Sequence, residues 1–211
     1  MLRFDVFDKF AEEYDRWFDS HIFAYQSEVY AIRRFIPDNG TGIEIGIGTG
    51  RFSVRFGIKS GVEPSEGMAA IGCSRGIDVC ISQAEQLPYN NEQFDFALIV
   101  TTLCFVDNPM LVLNEARRIL KPDGQIIIGI IDKETQIGKT YESMKVSNKF
   151  YNNATFYSTQ DVIELLQKVN FSQIQICQTI FSNQDTMKVP DIVKDGSGEG
   201  VFVVLSAIKL K

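Results

Sequence analysis

The chain predicts an α/β fold: a doubly wound sheet of seven strands, mostly parallel with an antiparallel last strand, and helices on both faces. Three observations predict it. A short alternating strand, Thr41-Gly-Ile-Glu-Ile45, runs into a glycine loop, Gly46-Ile-Gly-Thr-Gly50, and then into apolar residues that open a helix. Two continuous apolar runs, Phe96-Ala-Leu-Ile-Val100 and Gln125-Ile-Ile-Ile-Gly-Ile-Ile131, read as strands buried on both faces, as in a helix-covered sheet. Two closing strands, around 174–180 and 200–208, are separated by a polar loop with no helix, which pairs them antiparallel.

Composition narrows the class. At 211 residues, a single domain over 1–211 is expected, long enough to bury a full core. A hydrophobic content of 45% and a charged content of 23% are those of a soluble globular protein. The net charge of −6 lacks the footprint of a nucleic-acid binder. No apolar run approaches the ~20 residues of a membrane span. The start, Met-Leu-Arg-Phe-Asp-Val-Phe-Asp, is too acidic for a signal peptide. Cys73, Cys80, Cys104 and Cys177 form no C-x-x-C pair and no cluster with His21, which argues against a metal site and for a reducing compartment. The expectation is a cytoplasmic protein, monomer or weak homodimer, with neither nucleic acid nor membrane as partner.

The elements follow in order. Residues 4–35 read as helical, with Phe7, Phe10, Tyr14 and Phe18 on one face and Asp8, Glu12, Asp15 and Asp19 elsewhere. Such aromatics fit plain core packing as well as a ligand pocket. Pro37-Asp-Asn-Gly40 is a turn. Ser60-Gly-Val-Glu63 is a second short strand, and Ser65 caps a helix that runs to about Arg75 and ends at Gly76. Ile77-Asp-Val-Cys-Ile81 is the third strand. Thr101 to Val106 sit at the carboxyl end of the fourth, where ligands of open α/β sheets bind. Asp107-Asn-Pro109 starts a helix with Val112, Ala116, Ile119 and Leu120 as its buried stripe, and Lys121-Pro-Asp-Gly124 is a turn. Residues 132–157 are weakly periodic and aromatic, as in a lid or substrate segment over a pocket mouth. Ser158-Thr-Gln-Asp161 is a capping box that opens the last helix, and 182–199 is a polar loop.

The glycine loop carries the first functional signal. Three glycines at alternate positions suit a turn where backbone passes close to a ligand. A glycine-rich turn without a ligand would show the same residues. The dinucleotide fingerprint G-x-G-x-x-G needs its last glycine at position 51, which is arginine here. Glu63 adds a second signal. An acid at a strand end about 20 residues past such a loop is where ribose hydroxyls are held, because a carboxylate accepts from both.

The run Glu44-x-Gly46-x-Gly48-x-Gly50 resembles motif I of the class I S-adenosylmethionine (SAM) dependent methyltransferases, and Glu63 stands at the place of their motif II. Ser82-Gln-Ala-Glu-Gln-Leu-Pro-Tyr89 resembles motif III of the ubiquinone/menaquinone-biosynthesis-like (methyltransferase 11) type, with Ala84, Glu85, Leu87 and Pro88 matching and Gln83 standing in place of Asp or Thr. Leu113-Asn-Glu-Ala-Arg-Arg-Ile-Leu-Lys-Pro-Asp-Gly124 is similar to the same family's scaffold. These matches cover about 41–131.

The resemblance implies a Rossmann-like class I methyltransferase fold that binds SAM and releases S-adenosylhomocysteine (SAH). It implies that Glu44, Gly46, Gly48 and Gly50 hold the methionine end, that Glu63 takes the ribose hydroxyls, and that Pro64 or Ser65 lies beside the adenine. It further implies that Gln83, Ala84 and Glu85 contact the base and that Thr101 lies near the sulfonium. Residues 1–40 would be a helical cap that turns Tyr14, Trp17 and His21 toward the pocket, with Cys104 and Tyr141 as further pocket candidates. His21 is the one histidine, suited by intrinsic pKa to take a proton, and shares with Tyr14 the candidacy for a base; a lone histidine is more often a structural residue. Cys104 has no basic neighbour in sequence to activate it, which favours a packed thiol over a nucleophile. The N/D-P-P-Y tetrad of enzymes acting on DNA bases or protein glutamine is absent. A small-molecule methyltransferase is therefore expected. Two other readings fit less of the sequence: a SAM-binding module without turnover, and a nicotinamide-linked oxidoreductase.

Overall fold

The computed structural model describes residues 5–210. Three helices come first, α1 (Asp5–Lys9), α2 (Ala11–Ser20) and α3 (Ile22–Arg33). Strand β1 (Gly42–Ile45), helix α4 (Arg51–Phe56), β2 (Ser60–Glu63), α5 (Glu66–Ser74), β3 (Asp78–Ile81) and β4 (Phe94–Val100) follow. Then come α6 (Pro109–Ile119), β5 (Leu120–Ile131), α7 (Gln136–Met144), α8 (Thr159–Lys168), β6 (Phe171–Thr179), β7 (Lys194–Asp195) and β8 (Phe202–Lys209).

The strands form one sheet in the order β3-β2-β1-β4-β5-β8-β6-β7. Strands β1 to β5 pair in parallel, and β8 inserts antiparallel between β5 and β6. Chain order reverses between β1 and β4. That is the switch point where a crevice opens at the carboxyl ends of the strands.

The two apolar runs divide their side chains between two cores, as the period of two requires. Ala97 and Ile99 of β4 and Ile126 and Ile128 of β5 face a core closed by α6 and α8. Phe96, Leu98 and Val100 with Ile127 and Ile131 face the other, closed by α2, α3 and α4 through Phe18, Tyr25, Ile32 and Phe52. Helix starts are capped by side chains: Met68 N donates to Ser65 Oγ, Leu111 N to Asn108 Oδ1, and Ser158 and Asp161 bond reciprocally.

Four details differ from the sequence reading. The sheet has eight strands because the expected loop 182–199 contributes the two-residue β7, which pairs with Cys177 and Gln178 of β6 and shortens the exposed edge. The N-terminal segment is not one helix. Its backbone breaks at Phe10 (φ −124°, ψ 27°) and His21 (φ −117°, ψ 45°), so α2 and α3 can take separate directions around the glycine loop. Lys121-Pro-Asp-Gly124 is an excursion within β5, across which the partner register jumps from Phe94–Leu120 to Phe96–Gln125. The segment 132–157 contains α7. Residues 1–4 of the expected 1–40 cap lie outside the described residues.

Candidate functional site

A cavity of about 150 Å³ opens at the switch point. Gly46, Gly48, Glu63, Gln83, Ala84 and Thr101 line it, together with Pro64 and Glu85. It therefore gathers residues from the ends of β1, β2, β3 and β4.

The glycine loop is fixed by backbone geometry. Gly46 N and Ile47 N both donate to Val62 O, at 2.8 and 2.9 Å, which ties the loop to β2. Gly46 has φ +72°, and a Cβ there would stand 2.3 Å from the Thr102 side chain. Thr102 Oγ1 donates to Gly46 O at 3.2 Å, so the end of β4 clasps the loop. Gly48 has φ +55°, and a Cβ there would meet nothing within 4 Å, because that side of the loop is cavity. Thr101 also holds a left-handed φ of 48°, a conformation a β-branched residue rarely keeps unless its surroundings impose it.

Glu63 sits at the centre of this geometry. Gly48 N donates to its Oε2 at 2.8 Å and Ser65 N to its Oε1 at 3.1 Å. Burial pushes its pKa up to about 7, against the lowering effect of these two N–H groups. Each oxygen keeps capacity for a second donor from the cavity.

Glu44, Gly50 and Ser65, expected beside the ligand, stand behind the cavity wall. Glu44 is under the loop, 1% exposed, and accepts from Ser53 Oγ at 2.5 Å. Burial raises its pKa to about 8. It lies mid-strand on the side of α4, so it shapes the loop from below. Gly50 is the left-handed N-cap of α4. The Ser65 hydroxyl is spent on capping α5 and on Asp8 Oδ1, to which it donates at 2.7 Å. Glu85 lines the cavity, but its Oε1 accepts from Asp107 N and Asn108 N, at 2.9 and 3.3 Å.

A second cavity, of about 510 Å³, lies between α2, α7 and the 183–185 turn. Trp17, His21 and Tyr141 line it; Tyr14 lines the first cavity instead. Tyr151 of the second cavity stacks on Phe105 of the first, centroids 5.7 Å apart, so the two spaces share an aromatic wall. His21 stacks on Trp17 at 4.5 Å. Its Nδ1 bonds Trp17 O and its Nε2 bonds Asp185 Oδ1, both at 3.0 Å. Both ring nitrogens are thus engaged within the chain. Cys104 lines neither cavity; burial pushes its thiol up to about 12. Burial raises the Tyr14 hydroxyl well above the usual phenol range.

Residues 43–128 match the family model described as a methyltransferase domain. A protein of Methanocaldococcus jannaschii is 50% identical over 206 residues, covering 98% of this chain and 100% of its own. The crystal structure of a SAM-dependent methyltransferase of Thermotoga maritima, named as a possible histamine N-methyltransferase, superposes with a TM-score of 0.95 at 48% identity, over 98% of this chain and 99% of that one. The chain belongs to the class I SAM-dependent methyltransferases. A demethylmenaquinone methyltransferase of Bacillus mycoides is 28% identical over 153 residues, 64% of each chain.

The residues of this methyltransferase fit the cofactor its family uses. The open face of Gly48 is a cradle that a side chain would fill, and Glu63 offers two acceptor oxygens one strand away. Among the described residues no group of His, Cys, Asp and Glu could hold a metal ion, and no helix is long and apolar enough to cross a membrane.

The sequence reading missed the latch that holds the cap. Asp15 of α2 accepts from Thr49 Oγ1 at 2.6 Å, from Arg51 Nε at 2.9 Å and from Arg75 Nη1 at 2.8 Å. Asp8 of α1 accepts from Gly67 N at 3.0 Å as well as from Ser65. Helical periodicity places these acids only off the aromatic face; their partners lie 34 to 60 residues away, which periodicity does not register. Phe7 and Phe105 also line the first cavity, and they pack edge to face at 5.1 Å.

Proposed function

We propose that this methyltransferase moves the methyl group of SAM to a small molecule by in-line displacement, with the first cavity for the cofactor and the second for the acceptor. The observation that carries the reading is the shared wall of Tyr14, Phe105 and Tyr151 between the two spaces. Bound SAM supplies an already activated methyl group, so the chain needs no covalent intermediate. Its task is to bring an acceptor lone pair to about 3–3.5 Å of that methyl, in line with the breaking bond and shut from water.

In this reading Gly46, Gly48, Glu63, Pro64, Gln83, Ala84, Glu85 and Thr101 contact the cofactor. Residues 1–40 act as the cap, and 132–157 form one wall of the acceptor space. The aromatic lining of that space favours a compact, partly apolar acceptor over a polymer. A cytoplasmic setting belongs to the same reading, because all four cysteines are free.

The test is SAH formation from SAM over an acceptor panel. Phenols, thiols and quinols belong in it, as do amines, histamine included for the name its Thermotoga relative carries. Peptides and RNA serve as controls. Turnover with a small molecule alone supports the proposal; turnover with only peptide or RNA overturns it.

A further inference from the structure

The first cavity measures about 150 Å³, whereas a space that holds a ligand of SAM's size measures roughly 300–1,000 Å³. SAM therefore enters only if a wall gives way. Most of the walls are tied down. The strands are paired within the sheet, Gly46 N and Ile47 N are held by Val62 O, and Thr102 clasps the glycine loop. Tyr14 belongs to α2, which Asp15 fastens to Thr49, Arg51 and Arg75. Glu85 is held by Asp107 N and Asn108 N.

Phe7, which also lines the cavity, belongs to a lighter wall. Its helix α1 has five residues, far below the ~12–15 under which a helix alone is marginal in water. It leaves α2 at Phe10, where the backbone is non-helical (φ −124°, ψ 27°). Asp8 fastens its far side: Oδ1 accepts from Ser65 Oγ at 2.7 Å and from Gly67 N at 3.0 Å. A Cβ at Gly67 would stand 2.8 Å from Asp8 O, so the α1 backbone lies directly on the first turn of α5. Phe7 packs edge to face on Phe105 and Tyr14, at 5.1 and 5.7 Å, and shares with Ala11 and Met68 a small cluster apart from the two main cores. Pro64 and Met68, which flank Ser65 and Gly67, line the cavity. Helix α1 thus bridges from α2 to α5 across the rim.

We propose that α1 is a strap over the cofactor cavity: it swings out about Phe10 to let SAM in and SAH out, and Asp8 latches it shut on α5. The inference rests on the cofactor reading of the first cavity. Opening breaks the two Asp8 hydrogen bonds and withdraws Phe7 from its cluster, while both main cores stay closed. Helix α2 stays in place, because its Asp15 clasp lies on the other side of Phe10. Shut, the strap puts Phe7 between the ligand and water, and the methyl transfer needs that exclusion. SAM enters only the open form, so association is scaled by the fraction of time the strap spends open. Release requires the same opening. A weaker latch therefore speeds both steps.

Chase kinetics and hydrogen exchange test it. SAM labelled in its methyl group is loaded and chased with excess SAH, and association is read from the approach to saturation. Asp8→Ala should raise both rate constants about fivefold or more. Gly67→Ala should do the same from the α5 side, because its methyl group holds the strap off. Asp8→Asn keeps an Oδ1 acceptor and should fall between wild type and Asp8→Ala. Damage to α5 alone would slow association instead. In the wild type, SAH should slow amide exchange over residues 5–10 more than over 11–20. Slower association in Asp8→Ala or Gly67→Ala, or wild-type rate constants in both, overturns the proposal. So does exchange over 5–10 that SAH leaves unchanged. Failure of the wild type to bind SAM or SAH at all is a different result and strikes the cofactor reading itself.

Discussion

Arg51 grips Asp15 with two nitrogens, Nε to Oδ1 at 2.9 Å and Nη2 to Oδ2 at 2.7 Å, and so joins the residue after the glycine loop to the cap helix α2. Position 51 is where a dinucleotide fingerprint would require glycine. Arginine there gives up close backbone approach and gains a planar two-pronged clasp. Arg75 from the end of α5 holds the same carboxylate, and Asp19 accepts from the remaining Arg51 Nη1 and again from Nη2. Helix α2, the glycine loop and the end of α5 are thereby one unit.

Removing that clasp should free the cap. Asp15→Ala leaves Arg51 and Arg75 without their shared partner, a loss of about 1.5–3 kcal/mol for a charged hydrogen bond. Hydrogen exchange should accelerate over residues 5–20 while the sheet stays protected, and SAM should dissociate faster. The Arg51 and Arg75 guanidinium groups hold the Asp15 carboxyl well below the usual carboxylate range, so this stabilisation is present above about pH 4 and is lost as pH falls below it. Unchanged exchange over 5–20 would mean that the cap is held by its aromatic contacts alone.

Cofactor binding should depend on the open face of the glycine loop. Gly48→Val puts a branched side chain into the cavity at a left-handed φ and should abolish SAM binding, at a stability cost of about 1–3 kcal/mol from the backbone alone. Glu63→Ala removes both acceptor oxygens and frees Gly48 N, and should weaken SAM by about tenfold or more. A thermal-shift titration reads both, since a ligand at 100 times its Kd adds about 2.7 kcal/mol. Wild-type shifts in both variants would place the site elsewhere.

The sheet was legible because its signals are local. The apolar runs of β4 and β5, the caps at Ser65, Asn108 and Ser158, and the glycine spacing each lie within a dozen residues of sequence. The wall of the first cavity was legible because Glu63 and Gln83 follow the loop at distances set by one helix and one strand. Other features come from contacts that sequence spacing does not encode. Whether an acid such as Asp15 or Glu28 faces water or the interior depends on how α2 and α3 break at His21, and that break has no proline or glycine to announce it. Trp17 and His21, expected to face the same pocket as Tyr14, line the second cavity instead.

Cys104 should be inert in the folded enzyme. It is buried, its Sγ donates to Thr101 O at 3.1 Å, and its thiol is pushed up to about 12, whereas Cys73 is exposed. A thiol reagent should label Cys73 first and leave Cys104 and Cys177 unlabelled until the protein unfolds. Cys104→Ala should lower stability by about 1 kcal/mol through the cavity it leaves and should keep methyl transfer. Rapid native labelling of Cys104 that blocks turnover would place the thiol in the acceptor path.

The buried carboxylates set a pH dependence of stability opposite to that of Asp15. Glu44 and Glu63 are raised in the folded state, to about 8 and about 7, from an ordinary value of 4.5, chiefly by burial. Between these limits the folded chain binds more protons than the unfolded chain, so stability falls as pH rises. Below about pH 4.5 the contribution is fully present, and each group removes about 1.4 kcal/mol per pH unit inside its window. Glutamine at position 44 imitates the protonated carboxyl and still accepts from Ser53 Oγ. Glu44→Gln should therefore melt close to the wild type at pH 5 and increasingly above it up to pH 8. Because Glu44 lies behind the cavity wall, SAH affinity should follow the wild type in the same series. A melting gap that stays constant with pH would show that Glu44 is ionised in the folded state, bonded to Ser53 strongly enough to outweigh its burial.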